Sequence, residues 1–160
     1  MKLVTLRRIA LVIALLGTWQ LADAQSVKGT MKESAQARIV VQTSDARPYD
    51  NENRGLIEIR IVEKFIGDWE GESTVRSLQF ERADKSASQV SMQTFRGRLG
   101  GRRGTFVLQG AETVENGKIT ASWTVVPGSG TGELTGLRGE GGFQGEFGKG
   151  SIGTLNYWFE

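Results

Sequence analysis

Hydrophobic and polar residues alternate over residues 56–66, the segment LIEIRIVEKFI. Isoleucines and Phe65 take one set of alternate positions, and charged residues take most of the other set. A period of two residues is typical of a β-strand that buries one face. The alternation continues past Gly67 and Gly71, so we predict one long strand that bends sharply at one of these glycines.

Further alternating or apolar runs predict more strands, separated by turn residues. These strands are expected at residues 36–43, 73–81, 88–98, 103–111, 118–126 and 151–159. Asn116 and Gly117 form a two-residue hairpin signal, and Ser44 to Gly55 are expected to form an exposed loop. Seven or eight strands at near-hairpin spacing favour an all-β fold with a single small antiparallel β-barrel of about eight strands, because closure removes both sheet edges. A β-sandwich is the alternative.

The N-terminus has the pattern of a secretory signal peptide. Lys2, Arg7 and Arg8 precede an apolar run at residues 9–16, and a small-residue site ends at Ala24. The run is shorter than the ~20 residues that cross a bilayer, so we expect no membrane anchor. We predict that residues 1–24 are cleaved before Gln25, which leaves one domain at residues 25–160 in an exported protein, either periplasmic or secreted.

Charge and composition narrow the function classes. The chain has a net charge of +2, and residues 1–24 carry three basic groups and one acidic group, so the mature chain is neutral. A neutral chain has no broad attraction for nucleic acid, and none is expected as a partner. The chain contains no cysteine and no histidine. This excludes Cys and His nucleophiles, Ser-His-Asp triads and Cys/His metal sites, and we expect no metal and no cofactor.

The segment PGSGTGELTGLRGEGG, residues 127–142, contains seven glycines. It has no lysine where a Walker-type phosphate loop needs one, and Glu133 stands where a dinucleotide motif needs its third glycine. It also lacks the first glycine of a nucleophile elbow. We therefore interpret it as a chain reversal between two late strands, where glycines supply positive φ angles and close backbone approach.

Four segments in this order resemble the bacterial family of unknown function numbered 3224: FIGDWEGEST at 65–74, GRLGGRRGTFVLQG at 97–110, WTVVPGSGTGELTGLRGEGGF at 123–143 and GTLNYWF at 153–159. The resemblance covers roughly residues 36–159. It implies an eight-stranded antiparallel barrel similar to the allene oxide cyclase and dirigent barrels, with a turn or short helical element near Glu133 to Leu137. The residues that mark the fold are Gly128, Gly130, Gly132, Gly136, Arg138 and Gly139. The resemblance implies no activity.

Several side chains are candidates for a site. Glu63 shares a face with Phe65, so we expect it to point into the barrel as a buried carboxyl with a raised pKa, which suits a general acid or base. A rim carboxylate or an arginine-paired one is the alternative. Trp69, Trp123 and Tyr157 are candidate walls of an apolar pocket, and Gln109 is a candidate to orient a ligand; ordinary core packing and a cross-strand hydrogen bond are the alternatives.

Two functions are therefore expected as alternatives. The first is a barrel that binds a small hydrophobic ligand in its lumen. The second is a cofactor-free isomerase or cyclase that acts on such a ligand, with Glu63 as the candidate base. Either function is compatible with a homo-oligomer.

Overall fold

The computed structural model describes residues 31–53, 55–146 and 149–160. Eight antiparallel strands follow one another around a closed barrel, and the last strand pairs with the first. The strands are β1 (Glu33–Pro48), β2 (Leu56–Gly67), β3 (Trp69–Glu81), β4 (Ala87–Leu99), β5 (Arg102–Glu115), β6 (Lys118–Val125), β7 (Leu137–Glu146) and β8 (Gly150–Phe159). The predicted single antiparallel barrel of eight strands is confirmed.

Residues 1–24 and the cleavage site between Ala24 and Gln25 lie outside the described residues. Export of the protein therefore stays a prediction. Within the part of the chain that the structure describes, no helix has both the length and the apolar character needed to cross a membrane.

The prediction of one long bent strand through Gly67 and Gly71 was wrong. The run is two strands, because β2 ends at Gly67 and β3 begins at Trp69 and pairs antiparallel with it. Phe65 pairs with Gly71 across this hairpin. The glycine allows close approach of the next strand, since a Cβ on Gly71 would collide with the carbonyl oxygen of Arg96. Alternate residues continue to face inward on both sides of the turn, so the sequence pattern of the two strands resembles that of a single strand.

The glycine-rich segment forms both a chain reversal and a strand. It contains a short 3-10 helix, Gly132–Leu134, as predicted near Glu133, but its second part belongs to β7. No strand was predicted there, because glycine replaces the large inward residues that identify one. A Cβ on Gly141 would lie 3.0 Å from the indole Nε1 of Trp123 and would collide with the carbonyl oxygen of Thr154. Glycine in β7 therefore makes room for the core.

The first hairpin extends beyond the rest of the wall. β1 continues to Pro48, so residues 44–48, predicted as a loop, are strand. β1 pairs with β8 only up to Ile39, and residues 40–48 pair with β2 alone. The wall is therefore lower on the side of β8 than on the side of β2.

The two ends of the barrel differ in what fills them. We call the half that contains the β2–β3 and β4–β5 turns the closed half, and the opposite one the open half. Aromatic rings pack through the closed half, with centroids 4.6 Å apart for Phe65 and Trp69 and 4.9 Å apart for Phe95 and Phe106. Leu134, from the 3-10 helix, is fully buried beside them.

Candidate functional site

Polar side chains replace the aromatic rings at inward positions of the open half. Glu63 on β2 lies directly opposite Ser73 on β3. The amide Nε2 of Gln93 on β4 donates to Glu63 Oε2 at 2.8 Å and to Ser73 Oγ at 2.6 Å. Ser73 Oγ also donates to Glu63 Oε2 at 3.2 Å. The alternation of three neighbouring strands thus brings one carboxyl, one amide and one hydroxyl together.

A second polar group lies beside the first. Ser91 Oγ on β4 donates to Glu112 Oε1 on β5 at 2.6 Å, across the space left by Gly110. Glu112 is only 8 % exposed and Ser77 is only 4 % exposed. Glu112 Oε2 and Ser77 Oγ are buried without a hydrogen-bond partner among the described residues. Buried polar atoms usually have a partner, so these two atoms require an explanation.

Burial alters the ionisation of both carboxyls. Desolvation raises the pKa of Glu63, and the nearby charge of Glu112 raises it further, while the hydrogen bonds from Ser73 and Gln93 partly oppose these effects. Desolvation also raises the pKa of Glu112, opposed in part by Ser91 and by the side-chain amide of Gln89, the residue that pairs with Glu112 on β4. Neither carboxyl forms an ion pair with a described residue. The expected inward, desolvated Glu63 is therefore present, and it has an acidic neighbour that the sequence analysis did not identify.

Solvent reaches the open half but not the closed half. Phe65, Phe95 and Phe106 in the closed half are 0 % exposed. The inward residues Val75, Val114 and Ala121 of the open half are 5 %, 7 % and 8 % exposed, and Glu63 is half-buried. Solvent therefore contacts the polar groups mainly at Glu63.

The structure separates the four predicted ligand-binding residues. Trp69 is fully buried in the closed half, where its ring lies 5.7 Å from that of Trp123. Tyr157 is buried, and its hydroxyl donates to Glu33 at 2.8 Å; burial and this bond raise the pKa of Tyr157 to about 12. Gln109 is exposed on the outer wall. Only Trp123 borders the polar groups, because it pairs with Gly110.

Concave surfaces also occur on the outer wall. Four of them have volumes of about 530 to 640 Å³. The most apolar one covers β3 to β6, and Gln109 lines it together with Leu78, Val90 and Met92. Gln109, which we predicted to orient a ligand beside the aromatic walls, thus faces the outer groove and not the lumen.

The comparisons with known proteins identify a family. Residues 23–160 match the family described as "Protein of unknown function (DUF3224)". The chain belongs to this family. The resemblance found in the sequence is thereby confirmed. A crystal structure of a DUF3224 protein of unknown function from Shewanella oneidensis MR-1 is similar, with a TM-score of 0.69 and 29 % identity, over 81 % of this chain and 99 % of that chain. No curated protein matches the chain.

Two site residues of this DUF3224 barrel that the sequence analysis missed, Glu112 and Gln93, lie at positions that the alternation along their strands marks as inward. Glu112 continues the alternation of Phe106 and Leu108 along β5, with Gly110 between. Its parity therefore marked it as inward, just as the parity of Glu63 did. Gln93 precedes Phe95 by two residues on β4 and is inward for the same reason. A polar residue at an inward position of a strand is therefore the signal that could have identified both residues.

The acidic residues of this DUF3224 barrel do not form a metal centre in the described ranges. No group of three or more acidic side chains lies close enough to hold an ion. The two lumen carboxyls, with their hydroxyl and amide neighbours, are instead suited to hydrogen bonding and to proton transfer.

Proposed function

We propose that the barrel binds a small molecule in the open half of its lumen. The observation that carries this proposal is the pair of buried, unpartnered polar atoms, Glu112 Oε2 and Ser77 Oγ, at inward positions of one half. A buried polar atom without a partner costs about 1–3 kcal/mol. A ligand that hydrogen-bonds to both atoms recovers this free energy, whereas the empty protein does not.

The composition of the open half also fits a small-molecule site. Such sites combine an apolar lining with a few placed polar groups that orient the ligand. Val75 and Ala121 supply apolar surface, and Glu63, Gln93 and Glu112 supply the polar groups. The proposed ligand is thus small and partly hydrophobic, as expected from the sequence. It binds above Trp123 rather than between Trp69 and Tyr157, whose surroundings are filled by side chains.

Fragment binding read by NMR tests the proposal. The side-chain amide of Gln93 reports on the lumen, and that of Gln109 reports on the outer groove. We expect a fragment that shifts the Gln93 signal. Ala121→Leu adds bulk at an inward position and should abolish the shift, whereas the matched variant Ala111→Leu adds the same bulk on the outer wall and should preserve it.

Two results contradict this proposal. One is a library in which no fragment shifts the Gln93 amide of the folded protein. The other is a set of fragments that shift only the Gln109 amide and lose binding in Ala111→Leu, which assigns binding to the outer groove. Dispersed amide spectra of both variants serve as the check that each one folds.

A cofactor-free isomerase or cyclase is the second candidate, and the ionisation of Glu63 favours it. Burial and the neighbouring Glu112 raise the pKa of Glu63, which brings a carboxyl toward the range useful for proton transfer at neutral pH. Carbon-13 NMR titration of the glutamate side chains, assigned with Glu63→Gln, is the direct test. An ordinary carboxyl pKa for Glu63 removes it as the candidate base.

A further inference from the structure

The described ionisable side chains that face the lumen of the open half are acidic. Glu63 and Glu112 face the lumen from β2 and β5, and the strands between them contribute only hydroxyls, amides and apolar side chains at their level. At the rim, Glu81 is already paired with Lys85 at 2.9 Å. The hydrogen bond between Tyr157 and Glu33 lies at the closed end, beyond the aromatic core. No described cation therefore compensates the two lumen carboxyls.

A second observation is independent of charge. Ser77 Oγ and Glu112 Oε2 are both buried, and neither has a hydrogen-bond partner among the described residues. The other oxygen of Glu112 accepts from Ser91, and Ser91 pairs with Ser77 across β3 and β4. The two unpartnered oxygen atoms thus lie at inward positions of β3 and β5, on either side of β4. A carboxylate oxygen only accepts hydrogen bonds, and a serine hydroxyl accepts as well as donates, so a group with several donors can partner both atoms.

We infer that the ligand of the open half is a small organic cation, an ammonium group on an apolar body, with the ammonium held between Glu63, Glu112 and Ser77. This inference rests on the proposed function and names the class of its ligand. An ammonium group supplies several N–H donors together with the positive charge that the site lacks. An anionic ligand would add a third negative charge beside two carboxyls and is disfavoured. Val75 and Ala121 provide the surface for the apolar body.

Cation binding is coupled to proton release. In the empty barrel, burial favours the protonated carboxyls. The bound ammonium group favours the carboxylates instead, so protons leave the carboxyls and pass to the buffer. The affinity therefore rises with pH until both carboxyls ionise in the empty protein. The ligand keeps its own charge through this range, since an alkylammonium loses its proton only near pH 10.

Three probes of nearly equal shape test the inference: benzylammonium, benzyl alcohol and benzoate. Calorimetric titration should show that benzylammonium binds at least about tenfold more tightly than benzyl alcohol, and that benzoate does not bind. Binding in buffers of different ionisation enthalpy should show proton release, and the affinity should increase from pH 5 to pH 8. Ionic strength is held constant throughout.

A matched pair of variants on β5 locates the effect. Glu112→Gln preserves the shape of the inward side chain and should weaken benzylammonium binding by more than about tenfold, because it removes one partner of a buried charge pair. Glu115→Gln makes the same change at an exposed position of the same strand and should leave binding unchanged.

Several outcomes overturn the inference. If benzyl alcohol binds as tightly as benzylammonium, or if neutral fragments shift the Gln93 amide while benzylammonium does not bind, the ligand is not a cation and the proposed lumen site stands. If benzylammonium binds equally well to Glu112→Gln, its site lies elsewhere. If no fragment of any charge shifts Gln93, the inference and the proposed function both fail.

Discussion

The closed and open halves of the barrel are built from the same strands, yet they carry different chemistry. On β4, Phe95 belongs to a packed aromatic core. Gln93, the inward residue just before it, belongs to a hydrogen-bonded polar group. In the closed half, packing removes water from large apolar surfaces. Among the described residues, the open half has two buried side-chain oxygen atoms without partners, whereas the unpartnered buried atom of the closed half is the indole Nε1 of Trp69. We therefore expect the closed half to supply most of the stability, and the ligand site that we propose lies in the open half.

The largest expected effect comes from removing a ring of the closed half. Trp69→Ala should lower the free energy of unfolding by about 3–5 kcal/mol, because it leaves a cavity among tightly packed aromatic rings. Urea denaturation followed by circular dichroism measures the change. Val90→Ala, at a position that is 60 % exposed on the outer wall, is the control and should cost less than about 0.5 kcal/mol. A comparable cost for the two variants would contradict the assignment of stability to the closed half.

An intermediate effect is expected from the pH dependence of the open half. The pKa values of Glu63 and Glu112 are raised in the folded state, so the folded protein keeps these protons to a higher pH than the unfolded chain does. Their contribution to stability is complete below the unfolded pKa of about 4.3. It is lost as pH rises through the folded pKa values, at about 1.4 kcal/mol per unit of pKa shift.

Denaturant unfolding between pH 4.5 and pH 8 measures this dependence. The double variant Glu63→Gln with Glu112→Gln should lack the decline that the unmodified protein shows. Glu115→Gln is the control and should retain the decline. Parallel pH profiles for the double variant and the unmodified protein would show that the two carboxyls do not titrate as buried groups.

The smallest expected effect distinguishes two serines of the open half. Ser73→Ala should cost about 1 kcal/mol, because Ser73 Oγ bonds to both Glu63 and Gln93. Ser77→Ala should be neutral or slightly stabilising, since its buried hydroxyl has no partner to lose. Thermal unfolding of the two variants gives the comparison. A loss in Ser77→Ala as large as that in Ser73→Ala would mean that Ser77 has a partner in solution.

Much of the fold could be predicted from local pattern. Alternation with period two identified most of the strands and assigned their faces, and it placed Glu63 inside the barrel. The turn at Asn116 and Gly117 also followed from local chemistry, and both residues have positive φ in the structure, 51° and 76°. These features depend on neighbours in sequence, so the sequence contains them directly.

One error arose where a residue distant in the sequence determines the local structure. Glycine in β7 looked like a turn because the reason for it, the indole of Trp123, lies on another strand. The error at Gln109 was local, because the same alternation that turns Leu108 and Glu112 inward on β5 turns Gln109 outward. The break between β2 and β3 was hidden because antiparallel strands preserve the alternation across a tight turn.

By itself, the sequence determined the all-β class, the inward face of most strands and the absence of cysteine and histidine chemistry, because each of these is a property of residue type and spacing. Only the tertiary structure decided that the charge of Glu112 acts on Glu63 and that Trp69 lies in the closed half. It also decided that two oxygen atoms of the open half have no partner among the described residues. The reason is strand register. Pairing across the barrel sets which inward residues meet, and register depends on all eight strands closing together.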